Sequence, residues 1–258
     1  MTAISESTLP RAPIKAFAPF KKTDRNFYLL VVALIWLGIV MGFVPDILHH
    51  FTSKEAPYTS VTPYHAIAFV GWLVLLTAQL LLARAGALRV HQTLGLIAFA
   101  WVPFMVVVGT MTAFASSRRD LGTPTADPAF LSLLLCDMAA FAVIAGAGLL
   151  MRGTPVAHKR LMLLSAIMLT DAGFGRWWGP GLGKLLGNGF VPFWLESFLG
   201  PALLMLLFAI YDLSTRKRLH PAFVWGVGWI VSMELVASYL YVSPWWKPVA
   251  TGLITRFG

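Results

Sequence analysis

Charge is scarce in this sequence. Asp, Glu, Lys and Arg make up 12% of its 258 residues and hydrophobic side chains 58%, against about 25% and roughly 45–50% in an ordinary soluble domain. So few charges cannot cover a soluble fold of this size, and the apolar residues stand in seven long runs instead of at helix or strand spacing. An integral membrane protein follows. Cysteine is nearly absent: Cys136 stands alone, inside an apolar run, which excludes an internal disulfide. Also missing are a phosphate-binding glycine loop, a nucleophile elbow, a dinucleotide fingerprint and any HxxxH or HExxH pair on one helix. No apolar run of leader length precedes position 27.

What is present is an all-α pattern, a seven-span transmembrane bundle. The runs are about 20 residues long, enough to cross ~30 Å of hydrocarbon as helix. They fall near Phe27–Val44, Ala66–Ala83, Thr93–Ala115, Phe130–Met151, Leu161–Trp178, Val191–Tyr211 and Phe223–Tyr241. The fifth runs out into Gly179-Pro180-Gly181-Leu182-Gly183, which reads as a loop or a short interfacial turn. Three parts result: residues 1–26 as a disordered basic arm, 27–242 as the transmembrane domain and 243–258 as an external tail. Counting Lys and Arg sets the orientation, because positive residues near span ends stay in the cytoplasm. An inside amino terminus leaves 13 of the 20 basic residues on the cytoplasmic side and seven on the other, so the carboxyl terminus is expected outside. The basic arm suits anionic lipid better than nucleic acid, since the whole chain is bound to a bilayer, expected to be a bacterial inner membrane.

Polar groups inside the runs are the candidates for chemistry. His65, Trp72 and Gln79 are seven residues apart, close to two helical turns, so they form one stripe on the second span. Such a stripe should face the bundle interior, either as polar glue or as part of a ligand site. Four acids lie within spans: Asp137, Asp171, Glu196 and Glu234, with Arg176 and His65 as partners at similar depth. They form either a packing network or the lining of a polar cavity for an ion, a proton or a small ligand. The histidines divide by face. His49, His50 and His65 are expected outside, and His91, His158 and His220 at the cytoplasmic starts of the third, fifth and seventh spans. The latter three could share a transition metal, or two of them could hold a haem b, since neutral imidazole ligates both. Alternatively they cap helices or meet lipid phosphate at the membrane edge.

A weak repeat accompanies them: Arg84 then His91, Arg152 then His158, and Arg216 then His220, each before an apolar run. Small residues Cys136, Ala139, Ala142 and Gly146 share one face of the fourth span and read as a close helix contact. Pro103 and Pro201 are expected to kink their helices, while Pro192 falls in a first turn, where proline is tolerated.

The segment HAIAFVGWLVLLTAQ (His65 to Gln79), then RVHQTLG with His91, AHKRLMLL with His158 and Met162, and finally Arg176 resembles a domain-of-unknown-function family of bacterial polytopic membrane proteins. The likeness covers about His65 to Arg176 and implies no activity. The four-span core with histidines at its ends is also distantly similar to the di-haem transmembrane b-type cytochromes, although here the histidines sit at span ends and not a turn or two inside. Two functional expectations stand side by side. One is a membrane redox or haem- or metal-binding protein, with a membrane redox partner, using His91, His158 and His220 on one side and His65 with His49 or His50 on the other. The other is a carrier or small-ligand protein using the acidic cluster. A structural or assembly subunit is a third.

Overall fold

The computed structural model describes residues 17, 18, 20–53 and 57–258. Most of the arm 1–26, and Lys54 of the charge count, lie outside the described residues. The regular elements among those described are helices, without strands: α1 (Asp24–Thr52), α2 (Thr62–Arg84), α3 (Leu88–Gly95), α4 (Ala98–Asp120), α5 (Leu131–Leu150), α6 (Pro155–Met168), α7 (Asp171–Leu186), α8 (Phe190–Arg216), α9 (Pro221–Val242) and α10 (Trp246–Phe257), with short turns between them. Six stretches are long and apolar enough to cross a membrane: α1, α2, α4, α5 with its flanking turns, α8 and α9. Their outward faces carry exposed Leu, Val, Ile and Phe side chains, which a protein surrounded by water would not tolerate in such number. The chain is a membrane protein.

Several boundaries differ from the sequence expectation. The fifth run is divided between α6 and α7, with a tight turn at Leu169 and Thr170, so no single helix there is long enough to span. Thr170 donates its backbone N–H to Ile167 three residues back, at 3.0 Å, and its hydroxyl to the same carbonyl at 2.6 Å. α7 then continues through Gly179-Pro180-Gly181, where a loop or a short interfacial turn was expected. The third run begins only at Ala98, because the sequence before it forms the separate, strongly amphipathic α3. α1 continues past Pro45 to Thr52, placing His49 and His50 on its last turn. The presumed tail is mostly α10, which buries Trp246, Ala250 and Ile254 at one-turn spacing, with the Trp246 indole N–H donating to the Ala129 carbonyl at 3.0 Å.

One end of the bundle is tied by buried ions. Arg160 lies at the start of α6 and is fully buried; its Nε and Nη2 donate to the two oxygens of Asp212 on α8 at 2.8 and 2.7 Å. Arg216, one turn beyond Asp212, donates to Asp212 at 3.2 Å and to both oxygens of Asp24 at 2.8 and 2.6 Å. Asp24, at the first residue of α1, also accepts from Tyr211 at 2.7 Å and Lys159 at 3.2 Å. Phe17 lies against the guanidinium groups of Arg160 and Arg216, 4.7 and 5.3 Å from its ring centre. The two-pronged geometry satisfies both ions of each pair, the condition under which burying them is tolerable.

Glycine sets the middle. Gly38 and Gly42, spaced GxxxG on α1, face Gly173 of α7, and a Cβ on Gly42 would collide with the Gly173 carbonyl. Phe174 wedges between Gly38 of α1 and Gly200 of α8, where a Cβ on either would meet its ring. The small-residue face expected on the fourth span is not a close contact: Ala139 is exposed, and a Cβ on Gly146 would meet nothing within 4 Å. The close approach on α5 is at Gly148, against Met162.

Asp212→Ala would leave the buried Arg160 guanidinium without its carboxylate and take one of two carboxylate partners from Arg216. It should destabilise the protein by about 3–5 kcal/mol, the usual cost of breaking a buried pair, read as loss of thermal stability in detergent. A change within 1 kcal/mol, the range typical of exposed pairs, would show that the network does not hold this end together.

Candidate functional site

The break between α6 and α7 places Asp171 at the first turn of a half-helix, close to the positive end of its dipole. Its buried carboxyl accepts from the Ala172 backbone N–H and hydrogen-bonds to the Asp137 side chain of α5. A hydrogen bond between two carboxyl groups exists only where one carries a proton. Glu234 of α9, also buried, lies within electrostatic reach of both, beside the Trp194 indole, and its Oε2 has no hydrogen-bond partner. Three of the four acids singled out in the sequence therefore meet, contributed by three different helices. Arg176, one turn and a residue after Asp171, is within reach of that carboxyl but forms its ion pair with Asp46 of α1 at 3.3 Å, its guanidinium lying over Phe43. It also lines a cleft of about 370 Å³ with Ser116, Arg119, Asp120 and Asp127, opening at the end of α4. Glu196 stands apart. It lines a second cleft with Phe193 and Tyr241 and lies against Gly183.

The stripe on α2 faces inward as expected. Trp72 is fully buried, and His65 and Gln79 are partly so. None of the three is satisfied: His65 Nδ1, Trp72 Nε1 and both amide atoms of Gln79 are buried without hydrogen-bond partners. His65 stacks on Phe69 at 4.1 Å and lies within electrostatic reach of Arg176. His49 and His50 lie at the end of α1, and His50 stacks on Tyr58 at 3.7 Å.

At the opposite end, His91, His158 and His220 do not behave alike. His91 of α3 and His158 of α6 approach edge to face, with ring centres 6.4 Å apart. Each engages a carbonyl of the preceding long helix through Nδ1: His91 with Gln79 at 3.1 Å, His158 with Gly148 at 2.7 Å. Burial holds the His158 imidazole below its ordinary pKa, the Gly148 carbonyl opposes this, and the neighbouring His91 adds to the lowering. His220 is used differently. Its Nδ1 accepts the Ala222 backbone N–H at 3.1 Å, capping α9, and its ring meets Phe17 edge to face at 4.9 Å. It does not join the other two, and among the described residues no group of three or more His, Cys, Asp or Glu is placed to hold a metal ion.

The sequence reading missed Asp24, Asp212, Arg160 and Arg216 as a unit. The available signal was the i, i+4 pair Asp212 and Arg216 at the end of a span, with Asp24 as the first acid before another. Comparison with protein-family models, with curated proteins and with solved structures finds no match.

His220 gives a pH dependence whose sign follows from its role as an acceptor. Burial, then the positive charge of Arg160, push its pKa below the ordinary 6.5, so the cap's contribution is complete above 6.5. It is lost as pH falls through the lowered folded value. His220→Ala should cost about 1 kcal/mol at neutral pH, the usual cost of losing an N-cap, and flatten the acid limb of a stability-against-pH curve in detergent. An acid limb identical to wild type would refute this assignment.

Proposed function

We propose that this chain is a seven-crossing protein of a bacterial inner membrane that takes up and releases a proton at Asp137, Asp171 and Glu234, serving as the coupling site of a carrier for a small solute. In this topology α6 and α7 together make the fifth crossing, the amino terminus is cytoplasmic and the carboxyl terminus external. The observation that carries the proposal is the pair of carboxyls hydrogen-bonded to one another at the break of a membrane helix. Interrupted helices are where membrane carriers hold their coupling ions, because the freed helix end supplies a dipole and unpaired backbone groups. Asp171 already accepts a backbone N–H, so Asp137 is the donor of the shared hydrogen bond, with Glu234 within electrostatic reach of both. The three carboxyls are not placed to ligate one metal ion, which favours a proton over a cation. Arg176, five residues after Asp171 on α7, lines a polar cleft at the end of α4.

A second reading, a metal-binding or redox membrane protein, is favoured by the meeting of His91 and His158 at the other end of the bundle.

Infrared difference spectroscopy tests the first reading directly. Wild type at neutral pH should show the carbonyl band of a protonated carboxyl, which Asp137→Asn removes, while Glu196→Gln leaves it in place. A spectrum unchanged by Asp137→Asn would refute the shared proton. Proteoliposomes with a trapped pH dye should show proton movement that Asp171→Asn abolishes. The topology has its own check: reporter fusions after Arg218 should be cytoplasmic and fusions at Gly258 external, and a common location for both would overturn an odd number of crossings.

A further inference from the structure

We infer that the cleft at the end of α4 receives a small zwitterion, a free amino acid whose carboxylate sits on Arg176 and whose ammonium sits on Asp127. The inference names the class of solute for the carrier reading, on which it rests for the solute's passage across the membrane. The cleft measures about 370 Å³, near the lower end of the roughly 300–1,000 Å³ of small-molecule pockets. Four ionic side chains line it, two of each sign: Arg119, Arg176, Asp120 and Asp127. A ligand with a net charge would unbalance that set, whereas a ligand carrying one charge of each sign matches it.

The four divide into a spent pair and an available one. Arg119 and Asp120 are neighbours in the chain and join one another at 2.8 Å. Asp127 accepts the Tyr241 hydroxyl on Oδ2 at 2.8 Å and has no cationic partner among the described residues, so Oδ1 remains for a donor. Arg176 donates Nη1 to the Ala172 carbonyl at 2.8 Å and Nε to Asp46 at 3.3 Å, which leaves Nη2 without an acceptor among the described residues. Its pair with Asp46 is about half exposed on both sides, and exposed pairs are weak. A carboxylate entering the cleft can therefore take up the guanidinium, whose planar fork matches it. The last turn of α4 lines the cleft and presents the negative end of a helix dipole, which favours an ammonium near Asp127. The hydroxyls of Ser117 and Thr125 add acceptors for it. Quaternary ammonium groups are instead held in cages of aromatic rings, and a single ring, Phe130, lines this cleft. Arg176 also stands within electrostatic reach of the Asp171 carboxyl. A solute carboxylate on the guanidinium offsets its positive charge, so bound solute and the shared proton favour one another.

The test uses full-length protein purified in detergent. The common amino acids are screened singly at millimolar concentration for thermal stabilisation, beside propionate, ethylamine, glycine betaine and glucose, and the strongest binder is taken into calorimetry. At least one amino acid should stabilise the wild type, and the four comparison compounds should not. Arg176→Gln and Asp127→Asn should each weaken affinity at least about tenfold, the loss expected with one charged hydrogen bond, while Glu196→Gln in the neighbouring cleft binds as wild type does. The same amino acid added outside proteoliposomes should drive proton entry reported by the trapped dye. Absence of stabilisation by every amino acid, a comparison compound that binds as well as the best of them, or full affinity in both variants would each overturn the inference. The screen on wild type does not depend on any variant folding. The Asp137 infrared band is read without solute, so the band without binding removes this inference alone, and binding without the band or without proton entry removes the proton reading alone.

Discussion

A guanidinium group cannot face hydrocarbon, and this protein places two of them, Arg160 and Arg216, out of contact with solvent. The only arrangement that tolerates them is mutual: Asp212 held by both arginines, Asp24 held by Arg216, Lys159 and Tyr211. That requirement fixes the starts of α1 and α6 and the end of α8 at one level. With those three ends joined, the chain leaving α6 has to re-enter between α1 and α8. It does so through the barest surfaces available, Gly38 and Gly42 on one side and Gly200 on the other, with Phe174 filling the gap. The closeness of α7 to α1, backbone against backbone, leaves no room for a straight continuation of α6. The turn at Leu169 and Thr170 absorbs the offset, and it is this turn that brings Asp171 to Asp137.

The two polar regions of the interior are therefore opposites in design. At the ion-paired end, every charged group has a complementary partner, and the network holds geometry. In the acidic region three groups of the same sign meet, and full ionisation of all three would be repulsive in a medium where charges are poorly screened. A shared proton removes that conflict for one pair and leaves Glu234 Oε2 without a partner. Buried polar atoms without partners are few in most folded proteins. Among the described residues they include His65, Trp72 and Gln79 on α2 and Glu234 on α9, and also the Tyr28 hydroxyl beside the ion-paired end and the Trp194 and Trp229 indoles.

Much of this was legible in the sequence where the signal is an average over many residues. Hydropathy located seven runs, six of which coincide with helices long and apolar enough to span, and the seven-residue spacing of His65, Trp72 and Gln79 named the inward-facing stripe of α2. The acids were found because a carboxyl in an apolar run is conspicuous, and Asp137, Asp171 and Glu234 do meet. What escaped was decided by single residues and by long-range pairing. The division of the fifth run depends on contacts of Gly173 with α1, which a window average cannot register. Arg160 and Arg216 entered as members of a positive-charge count, and Arg216 also in the Arg-then-His repeat, treatments that assume they lie in the headgroups. Their partners Asp24 and Asp212 were overlooked because each stands beside basic residues in sequence and so resembles a solvated charge. Glu196 carried the same sequence signal as the other acids yet lies on the far side of α8's first turns, against Gly183.

The Arg-then-His repeat of the three turns has a structural meaning in two of them. His91 and His158 each reach back to a carbonyl near the end of the preceding long helix, 12 and 10 residues upstream, and so close two helical hairpins in the same way. The third turn cannot copy them, and the reason is Pro221. A proline forces the residue before it into extended backbone, and His220 has φ −78° and ψ 138°. Proline also begins a helix at once, since its missing N–H would have had no partner in the first turn. Held extended at that boundary, the His220 ring points along its own helix and accepts the Ala222 N–H. As an acceptor through Nδ1 it carries its proton on Nε2, the reverse of the tautomer in His91 and His158. One proline thus separates a histidine that caps the start of its own helix from two that reach back to the helix before.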